Sequence, residues 1–386
     1  MSPNNEAHGE DATHLADLKI QSRLRKVADY QVLPLLLVAF ASYQLDRTNI
    51  SSALTGGFAS AISVDQNTVN TGNQLMFLGV IVLEIPSNVI LHRIGPRYWI
   101  GGQVLIFGFI AALQIFIRNR TGFLVTRSIL GLAEAGFIPG AMFTLSQWYT
   151  REEITRRIAI FFFGMFGGTA VGPLLGAGLL RLDGKGNLSG WQWIFLVEGI
   201  WTITVSFTLL FFLPERSNYE QSEPLESEKA PEGIDCAPKN ISESKIPLKV
   251  IVETLTNVSK WPHFLATAVI QPYVDFWSKF GLWTTVNALA VGYHPIHNAW
   301  IQMNSRSSEE RSIGVAMFVM CATAGLMAGT QIFRQEGSEE YYPNGLLIMI
   351  GLVLMGLILT ALQEVIYYVQ NRRAEKQGSF AELNIL

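Results

Sequence analysis

Apolar residues in this chain come in long, nearly unbroken runs rather than in alternating or one-face patterns. A helix needs about 20 mostly apolar residues to cross a bilayer. Such runs lie at roughly 32–54, 73–92, 98–117, 122–148, 157–181 and 191–213, then at 312–333 and 344–369. The pattern predicts an all-α polytopic membrane protein. Between 214 and 260 the chain turns polar, mixing Glu, Lys, Ser and Pro. Such a composition has too little apolar surface to bury a core and reads as a linker.

The expected organisation is a cytoplasmic tail (1–31), an N-terminal six-helix bundle (32–213), a cytoplasmic linker (214–260), a shortened C-terminal bundle (261–371) and a second tail (372–386). The segment 261–303 is hard to place, because Asp275 and Lys279 sit in its middle and Pro262, Pro272 and Pro295 interrupt it. Arg306 and Arg311 after it, and Arg372, Arg373 and Lys376 at the chain end, read as cytoplasmic. The segment should therefore cross an even number of times, and a strained hairpin turning near 279–281 is the expected form.

Composition sharpens this picture. Of the 386 residues, 49% are hydrophobic and only 15% charged, with mean hydropathy +0.28. Soluble domains carry about 25% charged residues. The net charge of −3 is small and says little about partners, and no basic tract suggests nucleic acid. Lys19, Arg23, Arg25 and Lys26 precede the first run. With that end inside, the inner segments hold nine Lys or Arg against four in the outer loops, which agrees with the positive-inside rule. The polar stretch before the first run is too long for a cleavable signal peptide. Cys236 and Cys321 form no CxxC pair. No Walker loop, HExxH or Cys/His cluster is present, so neither an enzyme nor a metal site is indicated, and no cofactor is expected beyond a proton as coupling ion.

Ionisable groups inside spanning helices are costly, and each is a functional candidate. The first run ends in Asp46-Arg47-Thr48-Asn49, the second holds Glu84, and the fourth holds Arg127 and Glu134. Residues seven apart lie nearly over one another on a helix, so Arg127 and Glu134 can face one cavity. A buried carboxylate beside a cation can exchange a proton, since desolvation and the cation act on it in opposite senses. An anion bound at the arginine would then be coupled to that proton. A static ion pair fixing helix packing is the other reading. The loop Leu91-His92-Arg93-Ile94-Gly95-Pro96-Arg97 is a candidate gate, its arginines pairing with acids or helix ends in one conformation, or else simple anchoring. Glycines 131, 136 and 140 on the fourth run, and 164, 167, 168, 172, 176 and 178 on the fifth, allow close helix approach. Pro139 and Pro173 can bend their helices.

Taken together, LDRTNIS (45–51), EIPSN (84–88), LHRIGPR (91–97), RSILGLAEAGFIPG (127–140), LSQWYTREE (145–153), GPLLGAGLL (172–180) and GWQWIFLVEG (190–199) resemble the fungal anion:cation symporter branch of the major facilitator superfamily, the allantoate, nicotinate and pantothenate permease type. NALAVGYHPIHNAW (287–300) and NSRSSEERS (304–312) extend the resemblance. It implies two six-helix bundles around a central site opened alternately to each side. It also implies proton-coupled uptake of a small carboxylate or vitamin-like anion by a monomer in the plasma membrane. Arg127, Glu134, Asp46 and Arg47 match the family's charged positions. His92 stands where an Asp often sits in the wider superfamily. By Asn287 the chain already resembles the family's tenth helix, so helices eight and nine, with parts of seven and ten, are expected to be missing near 272–280. Ancestry and activity thus separate: a non-transporting or regulatory membrane protein, or a metabolite exporter, fits the same residues.

Overall fold

The protein was analysed as a computed structural model, in which residues 22–149, 151–215, 293–305, 307–332 and 343–376 are described. These residues are helical almost throughout, with no strand among them. The long helices are α1 (Leu33–Thr55), α2 (Gln66–Ile94), α3 (Pro96–Leu113), α4 (Arg120–Glu134), α5 (Phe137–Trp148), α6 (Arg151–Leu180), α7 (Gly190–Phe212), α8 (Tyr293–Met303), α9 (Ser308–Ile332) and α10 (Pro343–Lys376).

Local chemistry sets several helix starts. Asp65 caps α2 by accepting from the Thr68 N–H at 3.0 Å, and Asn119 caps α4 by accepting from Gly122 N–H at 2.8 Å. Ser189 and Gln192 form a capping box at α7. Such caps satisfy the backbone donors that a helix start leaves free. Pro96 sits in the first turn of α3, where a missing N–H costs nothing.

Among the described residues, six stretches are long and apolar enough to cross a membrane: Gln66–Ile94, Pro96–Phe116, Arg120–Trp148, Glu153–Leu180, Gly190–Phe212 and Glu309–Met327. α1 is less apolar because Gln44, Asp46, Arg47 and Asn49 dilute it. The N-terminal bundle is complete. α1 packs chiefly on α6 and α7, α3 on α7, and α2 on α4. A stripe of glycines four apart on α6 (164, 168, 172 and 176) lies against α1, while Gly167 and Gly178 face open space. The core at one end is aromatic: Phe40 stacks on Phe161 at 4.6 Å and Tyr43 on Phe137 at 5.1 Å between ring centres. From the second half, α9 lies against α2 and α5, and α8 against α6.

The fourth span is not one helix bent at Pro139: it breaks at Ala135–Gly136, where Ala135 is extended and Gly136 is left-handed (φ 85°). α6 runs through Pro173 without a break. The end of the expected N-terminal tail is helical, a turn of π-helix at Ala28–Val32 leading into α1. Most of the expected linker and the turn near 279–281 lie outside the described residues, as does Arg306. Of the segment 261–303, the described part is α8.

Candidate functional site

The fold gathers the expected charged residues into one buried zone of the N-terminal bundle. Asp46, Asn49, Glu84, Arg127 and Glu134 are each 1% exposed or less. They come from α1, α2 and α4, which pack around the break in the fourth span.

Arg47 Nε donates to Glu134 Oε2 at 2.8 Å. The guanidinium also lies over the Tyr43 ring, 4.5 Å from its centre, so it is held by a carboxylate and an aromatic face together. Its Nη2 and the second oxygen of Glu134 have no partner. Arg127, one of the largest fully buried side chains, is held far less. Its Nη1 has the Met76 sulfur at 3.8 Å, and its Nε and Nη2 have no hydrogen-bond partner. Its electrostatic neighbours are Glu134, Asp46 and Arg47. A buried cation with two open donors is costly. It suits a site where an anion supplies the missing oxygens.

Asp46 Oδ2 accepts from the Thr202 hydroxyl of α7 at 3.2 Å, and its Oδ1 is unpartnered. Asn49 faces Glu198 of α7 without forming a full hydrogen bond. Glu84 bonds away from the other buried charges: its Oε2 accepts from the backbone N–H of Gly136 at 2.8 Å.

Glu198, buried beside this cluster, was not singled out from the sequence. Its signal was present, since it is the sole ionisable residue of the run 190–213. Gln103 of α3 was also missed. Its amide bridges the Ser87 hydroxyl (3.1 Å) and the Ala135 carbonyl (2.5 Å). A glutamine in an apolar run gave only a faint signal.

The candidate gate loop lies elsewhere and divides. His92 is buried, its Nε2 2.9 Å from Ser312 Oγ of α9. Asn88, one turn earlier, donates to the Ser312 carbonyl at 2.8 Å and to its hydroxyl at 2.6 Å. These bonds join the two halves of the molecule. Gly95 makes the turn, with φ 93°, a conformation that favours glycine. Arg93 is exposed. Arg97 turns back on its own bundle, donating from Nε to the Leu210 carbonyl at 2.6 Å and from Nη2 to that of Phe211 at 3.2 Å.

A second polar cluster marks the same end of the bundle. Asp29 accepts from Tyr149 Oη at 2.8 Å and from Arg157 at 3.3 Å. Burial pushes the Asp29 carboxyl up, but the bonds from Arg157 and Tyr149 outweigh it and hold the group below the usual carboxylate range. An open cleft of about 530 Å³ is lined by Ile62, Phe116, Arg118, Trp191 and others. It holds none of the buried charges. Among the described residues no group of His, Cys, Asp and Glu could hold a metal ion.

The sequence matches the model of the Major Facilitator Superfamily over residues 36–369. A protein of Agrobacterium vitis named as a tartrate transporter is 32% identical over 212 residues, covering 54% of this chain and 45% of the relative. The chain thus spans about half the length of such relatives. The transporter YIL166C of Saccharomyces cerevisiae is 22% identical over 445 aligned positions, covering 92% of this chain and 82% of the relative. That alignment is longer than the 386 residues of the chain, so the yeast protein carries internal residues with no counterpart here. The crystal structure of the human organic anion transporter MFSD10 (TETRAN) superimposes with TM-score 0.52 at 13% identity, over 89% of this chain and 99% of that one. It shows a shared fold.

Proposed function

The chain belongs to the Major Facilitator Superfamily, and from that membership we propose that it carries a small organic anion across a membrane in symport with protons. One observation carries this reading: the fully buried Arg127, with two unpartnered nitrogens, beside the Arg47–Glu134 pair. Planar guanidinium forks match carboxylates. An anion entering the zone can bind Arg127 and compete with Glu134 for Arg47. A proton on Glu134 removes its claim on Arg47 and frees that cation for the substrate. Loss of the proton restores the internal pair and expels the anion. Proton and substrate therefore occupy the site together, which is the requirement for symport.

A carboxylate substrate agrees with the name of the Agrobacterium relative. We place the chain in the plasma membrane as a monomer, with both termini cytoplasmic. A reporter fused after Arg311 should then read cytoplasmic, and an external reading would overturn the even crossing of 261–303.

The direct test is uptake of labelled tartrate and related carboxylates in cells lacking their own carboxylate and vitamin permeases. This chain should be assayed beside a version with the internal residues restored. Glu134→Gln should abolish uptake driven by a proton gradient yet leave exchange of substrate across the membrane. If that variant leaves both unchanged, Glu134 is not the proton site.

A second reading has its own observation. Aligned to the yeast protein, this chain lacks internal residues, and the described part of its second half is α8 to α10. A cavity with an incomplete wall would bind without transporting. Uptake by the restored version alone would establish that reading.

A further inference from the structure

We propose that Glu84 is a positioning residue: its carboxylate clamps the break in the fourth span and so sets the placement of Glu134 and of α5. The inference rests on the transport reading only in its final step, the effect on Glu134.

A helix broken inside a bilayer leaves backbone donors and acceptors that water cannot reach, and side chains must meet them. Here they come from two neighbouring helices. Glu84 Oε2 of α2 takes the Gly136 N–H at 2.8 Å, the first free donor of α5. Gln103 of α3 gives its amide to the Ala135 carbonyl at 2.5 Å and to Ser87 at 3.1 Å. Trp99 also donates to Ser87, at 3.1 Å. Ser87 presses against Gly136 so closely that a Cβ there would collide with it, and φ of 85° disfavours any side chain besides. The break is thus held on both peptide faces and from both sides.

What the clamp holds matters for the site. Glu134 is the last residue of α4, immediately before the break. Its bond to Arg47 depends on where α4 ends. On the other side, α5 packs on α9. Glu84, Asn88 and His92 lie four apart on one face of α2. The first of them holds the break, and the other two hold Ser312 of α9. One face of α2 therefore fastens both the charged zone and the contact between the halves. As a clamp, Glu84 needs an acceptor oxygen at the correct reach. It does not need a charge.

That distinction gives the test. Glu84→Gln keeps the length and an acceptor oxygen but removes the charge. Glu84→Asp keeps the charge but is one methylene short. Glu84→Ala removes both. Amide hydrogen exchange at 135–138 would be measured on the full chain purified in lipid nanodiscs, and uptake in cells lacking their own carboxylate and vitamin permeases. Loss of one buried hydrogen bond corresponds to roughly tenfold faster local opening. We expect Gln to match the parent in exchange and to retain uptake. Asp and Ala should exchange at least about tenfold faster there and lose uptake. If Ala does not fold, the Asp and Gln pair decides alone. Gln behaving as badly as Ala, or Asp behaving as the parent, would overturn the clamp and return Glu84 to a role through its charge. Parent-like exchange in all three would overturn it as well. Should the parent chain itself show no uptake, the transport reading fails while the exchange comparison still decides the clamp.

Discussion

The two halves of the molecule are held by different means. In the N-terminal bundle, α1 to α7 interlock through glycine stripes, stacked aromatics and buried polar bonds between helices far apart in sequence. The second half attaches through α9, whose Ser312 meets Asn88 and His92, and through α8. α10 meets α8 where Tyr367 packs edge-on against Trp300. The buried charges cluster in the first half. The difference teaches that the half holding the buried charges is self-sufficient in packing, so a loss from the other half leaves the packing of the first in place.

The largest test of this asymmetry is Glu134→Ala. Removing one partner of a buried pair leaves an uncompensated charge, worth about 3–5 kcal/mol. Chemical unfolding in detergent should show that loss. A variant as stable as the parent would mean the pair is already hydrated and the zone is not sealed. Next comes packing. Gly131 of α4 lies against the Met76 backbone, while Gly351 of α10 faces open space. Gly131→Leu should cost about 1–3 kcal/mol or more by overpacking. Gly351→Leu should stay within about 0.5 kcal/mol. Equal costs would erase the contrast between halves.

The joint between the halves is third. A double-mutant cycle on Asn88→Ala and Ser312→Ala should give a coupling of about 1 kcal/mol. Additive effects would deny that these bonds hold α9. The smallest effect belongs to Asp29. Its carboxyl is held low when folded. Its contribution is therefore present above the unfolded value of about 4 and fades as pH falls through the lower folded value. Asp29→Asn should cost less than about 1 kcal/mol at neutral pH and flatten the acid limb of a melting-temperature profile. An unchanged acid limb would remove Asp29 from the account.

Much of this was legible in the sequence for a physical reason. Spanning helices write themselves as apolar runs, and the seven expected boundaries 32–54, 98–117, 122–148, 157–181, 191–213, 312–333 and 344–369 fall within a few residues of observed helix ends or their flanking turns, with Arg151 and Lys376 the main overruns. α2 starts earlier than its apolar run because Asp65 caps it. Buried charges stood out for the same reason, being rare and expensive there. The break at Gly136 was not legible, because a glycine in a helical run signals close packing as readily as a left-handed turn. Nor was the division of the gate loop. Arg93 and Arg97 carry the same charge, and only tertiary contact separates an exposed arginine from one that caps a helix.

The bonds of Arg97 carry one last consequence. The carbonyls of Leu210 and Phe211 are among the last of the first bundle before the chain leaves it. A pull on the chain beyond Glu215 is borne by Gln31, which donates to the Phe212 carbonyl at 2.8 Å, and by that guanidinium. Through Arg97 it passes into the turn at Gly95, three positions from His92 and seven from Asn88, which hold the other half. The anchor of the exit strand and the fastening between the halves thus share one short length of α2 and its loop. Tension on the connection between the halves is felt where they meet.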